Sequence, residues 1–305
     1  MRRAIELVVL LALATAPAWL SPWGLAQLTF IAIYVVAGVG LMLLAGHAGQ
    51  LSLCHAAFIG VGAYAEAILH ARGWPLLVSL PAAALCASGT GVLAAWPARK
   101  LAGIYLAIGT LSFGFIVQEL LMRWESVTGG NTGLAVASLG AGRLYWLALA
   151  ASLGALWLLD RLLEGRLGRA FVALREDATA ATVIGIAVPR VKVTAFALAA
   201  AFGGLAGALY AHQIRFVSPE QFDWVMSIEL LMMLVIGGLG TRAGIVFGAV
   251  FLIALPQGIG LLRDILAWNA PPAGIELFAF GLVLVLVLRF APAGLAGSLR
   301  QSRSL

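Results

Sequence analysis

The sequence contains few charged residues. Only 10% of its 305 residues are Asp, Glu, Lys or Arg, whereas a typical soluble domain has about 25%. Because 62% of the residues are apolar, the chain has too little polar surface to cover a soluble core. A soluble globular protein is therefore excluded. Apolar windows of about 20 residues, the length that crosses a bilayer, indicate an all-α, polytopic membrane bundle.

Cysteine and lysine are also scarce, and each scarcity excludes a class of site. Cys54 and Cys86 are the two cysteines, and they form neither a disulfide framework nor a CxxC metal motif. The two lysines, Lys100 and Lys192, do not follow a glycine, so the chain has no GxxxxGK[ST] loop for the phosphates of ATP. If ATP drives this protein, the ATPase must be a separate chain.

The apolar windows predict about ten membrane spans within one domain, residues 1–305. The first window resembles a secretory signal, but Glu6 interrupts its apolar stretch, so an uncleaved first span is favoured over a cleaved signal peptide. The predicted spans lie near residues 4–20, 25–45, 56–70, 75–97, 104–122, 144–163, 194–213, 224–240, 245–262 and 275–290.

The distribution of positive charge predicts the orientation of the chain. The net charge is +6 at pH 7, and most arginines lie at one end of the alternating spans, as is typical of cytoplasmic loops. Both termini are therefore predicted to be cytoplasmic, and the basic residues are topology signals, not a nucleic-acid surface. Tryptophans collect at the opposite end, as in an interfacial aromatic belt: Trp19, Trp23, Trp74, Trp124, Trp224 and Trp268.

Residues 45–64, AGHAGQLSLCHAAFIGVGAY, place polar side chains between two apolar runs. Lipid offers no hydrogen-bond partner, so Gln50, Ser52 and His55 require partners inside the protein. They either line an enclosed substrate pathway or merely hold two helices together. A Cys54–His55 catalytic pair is disfavoured because neighbouring residues of a helix point about 100° apart. We therefore expect no catalytic residue.

Three acidic residues lie within apolar spans, namely Glu66, Glu119 and Glu229. An ion-coupled secondary carrier would place such acids near the bilayer midplane, but the predicted topology puts all three in the outer third of their spans. Each could extend to the interface, and together they predict an acidic outer vestibule for a cationic amino group. The histidines are scattered along the sequence, without a carboxylate at ligand spacing, so we expect no metal site.

Residues 164–193 form the longest polar connection and are predicted to be cytoplasmic. Leu167, Phe171, Leu174 and Ala178 recur at helical spacing, which predicts one amphipathic helix. This helix could lie on lipid headgroups or dock into a partner protein. Its mixed charge favours a protein groove.

Glycines spaced four residues apart predict close contacts between helices in the membrane. Gly203 and Gly207 lie in the seventh predicted span, and Gly240, Gly244 and Gly248 extend the spacing into the ninth. Helix packing is favoured over contact with substrate.

Several sequence blocks resemble one family of membrane proteins. They include GQLSLCHAAFIGVGAY, GIYLAIGTLSF at 103–113, TGGNTGL at 128–134, the long block 168–211, FVSPEQF at 216–222, the block 227–249 and the terminal APAGLAG. In this order they resemble the LivM-type permeases of branched-chain amino acid ABC transporters over most of residues 35–297. Two departures are Cys54, where the family usually has glycine, and the pair Thr241-Arg242.

The resemblance implies a permease subunit of an ABC importer in the bacterial inner membrane. The expected partners are cytoplasmic ATP-binding subunits that use ATP, a second, LivH-type permease and a periplasmic substrate-binding protein, with lipid around the chain and no cofactor bound to it. The loop 164–193 would then couple to the ATPase through Arg175, Glu176, Asp177, Ala178 and Gly185. The expected substrates are branched-chain or other hydrophobic amino acids, and the alternatives are a urea or short-chain amide permease and an ion-coupled carrier.

Overall fold

The computed structural model describes residues 12–265, 272–290 and 294 as a helical bundle. The start of the first predicted span, Trp268 and both termini lie outside the described residues. Two short strands, β1 (Leu134–Ala135) and β2 (Phe216–Val217), pair antiparallel with Leu134 opposite Val217. A π-helix, Met42–His47, continues α2, and 3-10 turns occupy Gly130–Thr132 and Pro219–Phe222. The α-helices are α1 (12–19), α2 (Pro22–Leu41), α3 (His55–Ala71), α4 (Leu76–Ala98), α5 (Gly103–Arg123), α6 (Glu125–Thr128), α7 (Ala141–Glu164), α8 (Arg166–Glu176), α9 (Ala178–Val183), α10 (Val188–Ile214), α11 (Trp224–Gly237), α12 (Arg242–Ile265) and α13 (Pro272–Phe290).

Six helical segments among the described residues are long and apolar enough to cross a membrane. They are Pro22–His47, Leu76–Ala98, Gly103–Arg123, Ala141–Glu164, Val188–Ile214 and Arg242–Leu261. The prediction of an all-α membrane bundle is confirmed, whereas the count of about ten spans stays a prediction. Helix α11 has 14 residues and rises about 21 Å, which is less than the ~30 Å hydrocarbon core. The span predicted at 224–240 is therefore too short, as a helix, to cross by itself.

Helix α10 is the central element of the bundle and packs against α2, α3 and α4. Its glycines permit very close approach to α3. A Cβ atom on Gly207 would lie 1.9 Å from the carbonyl oxygen of Ile59, and one on Gly62 would lie 2.2 Å from that of Gly204. Gly203 also lies against α3. These positions exclude any side chain, so the two helix backbones are in direct contact.

In the second group of glycines, Gly244 and Gly248 lie in a helix contact, whereas Gly240 lies in a turn. Cβ atoms on Gly244 and Gly248 would lie 2.2 Å and 2.1 Å from the carbonyl oxygens of Gly238 and Met233, so α12 packs directly on α11. Gly240 differs from the prediction because an added Cβ would meet no atom within 4 Å and its φ is +87°. It serves the left-handed turn between the two helices, a conformation that glycine adopts without a Cβ clash.

The outer faces of α4 and α5 are strongly apolar and exposed. Only 22% of the α4 span and 17% of the α5 span is buried within the chain. Leu77 of α4 is 90% exposed and Tyr105 of α5 is 71% exposed. Such faces are stable against lipid or against another membrane subunit, and not in water.

Contacts between connecting segments fall into two groups that match the predicted sides. At the predicted cytoplasmic end, Lys192 Nζ donates to the Leu101 carbonyl at 2.7 Å, and Arg242 forms an ion pair with Asp160. At the other end, β1 pairs with β2. Each of these contacts joins segments that the arginine distribution assigns to the same side of the membrane.

The orientation is testable by labelling single cysteines in a background that lacks Cys54 and Cys86. Ser126, beyond α5, and Thr179, in α9, are both exposed. We expect Ser126→Cys to react with an impermeant thiol reagent in intact cells, and Thr179→Cys to react only after permeabilisation. The reverse labelling pattern would show that the arginine-rich loops are external.

Candidate functional site

The polar stretch between α2 and α3 departs from helical geometry. Helix α2 widens into the π-helix Met42–His47, and residues 48–54, here called the polar break, are not helical. The Ala48 and Gln50 N–H groups donate backward to the carbonyls of Leu43 and Leu44. Short π-helical turns occur frequently at functional positions.

The three polar side chains singled out by sequence are all buried at this break. His55 Nε2 lies 3.0 Å from the Ala37 carbonyl oxygen of α2, Ser52 Oγ lies 3.3 Å from Cys54 Sγ, and Gln50 Nε2 donates to the Ala48 carbonyl. Because a carbonyl only accepts, His55 Nε2 carries the hydrogen. Gln50 Oε1 and His55 Nδ1 have no hydrogen-bond partner among the described residues.

The cysteine that replaces the family's usual glycine does not strain the break. The φ of Cys54 is −107°, which any L-residue adopts, so this position does not require glycine. The left-handed residue is Gly49, with φ +66°. A Cβ atom there would also lie 3.0 Å from Cγ of Arg175.

Two hydroxyl groups that the sequence analysis did not single out hold the start of α3. The Ala56 N–H donates to Ser227 Oγ of α11 at 3.0 Å, and the Leu53 N–H donates to Thr110 Oγ1 of α5 at 3.0 Å. Cys54, the N-cap, provides no side-chain bond. These hydroxyls satisfy donors that a helix start leaves unpaired. Their only sequence signal is a hydroxyl in an apolar helix.

A very small cavity of about 10 Å³, room for about one water molecule, lies beside this helix start, between α3, α5 and α11. Its walls include Leu53, Ala57, Gln118, Asp223 and Ser227. Most of the side chains around it are apolar, with the first turn of α3 on one side and the Asp223 carboxylate among the polar groups. Gln50, Ser52 and His55 do not line it.

The three acids of the predicted vestibule have three different environments. Glu119 is exposed and forms an ion pair with Arg123 on the same helix. Glu229 is half-buried, close enough to Tyr34 and Tyr210 to act on both electrostatically. Glu66 is completely buried within the chain, so it does not face an open vestibule.

Glu66 instead contacts two histidines. His212 Nε2 lies 3.0 Å from Glu66 Oε1, and the His70 ring centroid lies 4.9 Å from that of His212. The expectation that no carboxylate stands at ligand spacing from a histidine is therefore wrong, since Glu66 and His70 are also one helical turn apart on α3. Glu66 and His212 are 146 residues apart in sequence, and only the packing of α3 on α10 brings them together.

The loop predicted as one amphipathic helix is divided into α8 and α9. Phe171 and Leu174 are buried as predicted, but Leu167 and Ala178 are exposed. The predicted apolar face is wrong at both of its ends, because α8 stops before Ala178 and a new helix begins with different faces.

Asp177 causes this division. Its carboxylate accepts hydrogen bonds from the N–H groups of Thr179 and Ala180 and thereby caps α9. The backbone N–H groups of Ala180 and Thr179 stabilise the charged carboxylate and lower the pKa of Asp177. Gly185, with φ +85°, follows the end of α9, as is common at helix C-termini. Glu176 and Asp177 are both exposed.

Arg175 joins this loop directly to the polar break. Its Nη1 donates to the carbonyl oxygen of Gly46, at the end of the π-helix. Its backbone and Cγ lie against Gly49, where a Cβ would approach within 3.0–3.2 Å. A residue from the predicted coupling loop therefore contacts the backbone beside and within the polar break, at Gly46 and Gly49.

Comparisons with known proteins agree over nearly the whole chain. The family model for the permease component of branched-chain amino acid transport systems matches residues 25–288. The LivM permease of the high-affinity branched-chain amino acid transport system of Escherichia coli (strain K12) is 33% identical over 338 aligned residues, covering all of this chain and 77% of the relative. LivM of Salmonella typhimurium is 32% identical with the same coverage. The autoinducer 2 import permease LsrC of Salmonella paratyphi B is 30% identical over 66% of this chain and 57% of the relative. No solved structure matches the chain.

The contact between Arg175 and Gly49 predicts the stability of two alanine variants. Gly49→Ala and Gly73→Ala both place a side chain at positive φ, which costs about 1–2 kcal/mol in the left-handed region, but only Gly49 has Arg175 within 4 Å of the new Cβ. We expect Gly49→Ala to lower the melting temperature of the purified protein more than Gly73→Ala. Equal melting temperatures would show that the loop does not pack tightly on the break.

Proposed function

The chain belongs to the family of permease components of branched-chain amino acid transport systems, and on this premise we propose that it is the permease subunit of an ATP-driven importer in the bacterial inner membrane. The resemblance to LivM-type permeases is confirmed, and the chain is an integral membrane protein. The substrates we propose are branched-chain amino acids, delivered by a periplasmic binding protein. The observation that carries this proposal is the similarity to LivM along the entire chain.

The residues around the cavity beside α3 support an amino-acid substrate, although the cavity as it stands has room for only about one water molecule. Asp223 provides negative charge for an ammonium group, and the apolar side chains of Leu53 and Ala57 suit a branched aliphatic side chain. We propose that this cavity is part of the substrate route, which opens further during transport.

In this proposal the polar break has a mechanical role. Gln50, Ser52 and His55 are buried and contact the chain itself, so they set the position of α3 at the edge of the cavity. Gln50 Oε1 and His55 Nδ1 have no hydrogen-bond partner among the described residues, so a movement of α3 would not have to break a bond within the chain at these two atoms.

Arg175 supports the proposed coupling to a cytoplasmic ATPase. Arg175, Glu176 and Asp177 are all exposed, and Arg175 also donates to the Gly46 carbonyl, which leaves Glu176 and Asp177 available to a partner. A displacement of α8 by the ATPase would therefore act directly on the end of α2. The chain has no ATP-binding loop of its own, and we propose that separate subunits hydrolyse ATP.

The exposed face of α5 supports a second permease subunit as a partner. Ile104, Tyr105, Ile108 and Ile116 are all more than half exposed along this helix. α5 also carries part of the cavity wall, so a partner seated on this face would close the substrate route from the other side. We propose that the partner is a LivH-type permease.

Uptake by the reconstituted complex tests the proposed function. Proteoliposomes should contain this chain, its partner permease and the ATPase subunits, with the binding protein outside. We expect leucine uptake that requires both ATP and binding protein and persists when proton and sodium gradients are abolished. Uptake by this chain alone, driven by either gradient, would instead identify a secondary carrier.

A pair of arginine variants tests the coupling route. Arg175→Ala removes the bond to Gly46, whereas Arg169→Ala, on the same helix, removes only a local bond to the Glu164 carbonyl. We expect Arg175→Ala to reduce the stimulation of ATP hydrolysis by loaded binding protein at least about tenfold, equivalent to a loss of 1.4 kcal/mol, at unchanged complex yield. Arg169→Ala should leave the stimulation intact. Equal effects of both substitutions would exclude a specific role for Arg175.

A further inference from the structure

Glu66, His70 and His212 form a cluster that lies outside the cavity beside α3. Glu66 and His70 are four residues apart on α3, so they share one face of the helix, and His212 approaches from the last turn of α10. One donor atom from each residue lies within 4.8 Å of the other two. Glu66 and His212 side chains are fully buried, and His70 is half-buried.

The bonds around His212 fix which of its nitrogens faces the cluster. Its Nδ1 lies 3.2 Å from the Ala137 carbonyl oxygen, and because that oxygen only accepts, Nδ1 carries the hydrogen. In the neutral imidazole, Nε2 then directs its lone pair at Glu66 Oε1. This is the arrangement of a metal-binding histidine, whose second nitrogen donates to a backbone carbonyl. Ser79 Oγ, which donates to Glu66 Oε1 at 2.8 Å, orients the carboxylate in the same way.

A proton between His212 and Glu66 would not account for the whole cluster. It would satisfy Nε2 and Oε1, but Glu66 Oε2 and His70 Nδ1 are also buried and have no hydrogen-bond partner among the described residues. Buried polar atoms are rarely left in this state. A cation shared by the three side chains would engage all of them.

The surrounding helices favour a cation at this position. The C-terminal turns of α3 and α10 contribute His70 and His212, and helix C-termini carry partial negative charge. The carboxylate of Glu66 also contributes negative charge at this position. Metal bonds of about 2.0–2.2 Å place the ligand atoms a little over ~3 Å apart, so modest side-chain rotations are sufficient to close the cluster.

We propose that Glu66, His70 and His212 bind a divalent transition-metal ion that fastens α3 to α10 at the end of the bundle predicted to be external. Two imidazoles and one carboxylate suit Zn²⁺ well, with a further coordination position left for water. Access is from the exposed turn at Arg72 and Gly73, next to the half-buried His70. The site is separate from the proposed substrate route, and its test does not depend on transport.

Zinc binding to the full-length chain tests the proposal directly. The protein would be purified through a tag without histidine, stripped with a chelator and titrated with Zn²⁺, with bound metal measured by mass spectrometry and stability by thermal unfolding. We expect one zinc per chain and a higher melting temperature. His70→Phe keeps the ring contact with His212 but removes the ligand, and it should weaken zinc binding more than about tenfold.

Two further variants complete the experiment. His47→Phe removes an imidazole at the other end of the bundle and should keep zinc binding unchanged. Glu66→Gln preserves the shape of the carboxylate and should abolish the zinc-dependent rise in melting temperature. If Glu66→Gln does not fold, the half-buried His70 decides the matter through His70→Phe alone. Absence of zinc binding, or zinc binding that His70→Phe does not weaken, would overturn the proposal.

Discussion

A backbone that leaves its helix inside an apolar bundle must find its hydrogen-bond partners within the protein, because lipid provides none. The polar break depends on this constraint. Thr110, Ser227 and Arg175 come from three different helices, and each bonds to a backbone group in or beside residues 46–56. The break therefore exists only when α5, α8 and α11 are in place. Any movement of one of these helices changes the bonds of the break, which makes it a natural point for transmitting motion.

The same dependence explains why α10 is rich in small residues. His55 can reach the Ala37 carbonyl only if α2, α3 and α10 lie very close together, and the glycines at 203 and 207 of α10 and at 40 of α2 permit this. In a membrane, such packing replaces the hydrophobic effect as the main source of helix association. Close packing is therefore needed for the polar break, because it brings backbone acceptors such as the Ala37 carbonyl within reach of His55.

Local sequence patterns predicted what depends on local chemistry. The helical membrane class follows from composition, and the break follows from polar residues between apolar runs. The replacement of the family's usual glycine by Cys54 did not reveal which residue of the polar break has a positive φ. That residue is Gly49. The division of α8 from α9 was missed because the apolar spacing continues past Asp177. The Asp177 side chain caps a new helix at this point, and the capping bonds override the periodicity.

What the sequence could not predict are contacts between distant segments. Glu66 and His212 belong to different helices, and the hydroxyl of Ser227 meets a backbone group 171 residues away. Periodicity places a residue on a face of its own helix but does not say which helix it meets. These unforeseen contacts lie along α3. Its start is held by Thr110 and Ser227, near the contact with Arg175, and its end is held by His212 and Ser79. Both ends of α3 are therefore positioned by residues of other helices, and the periodicity of α3 itself could identify none of these partners.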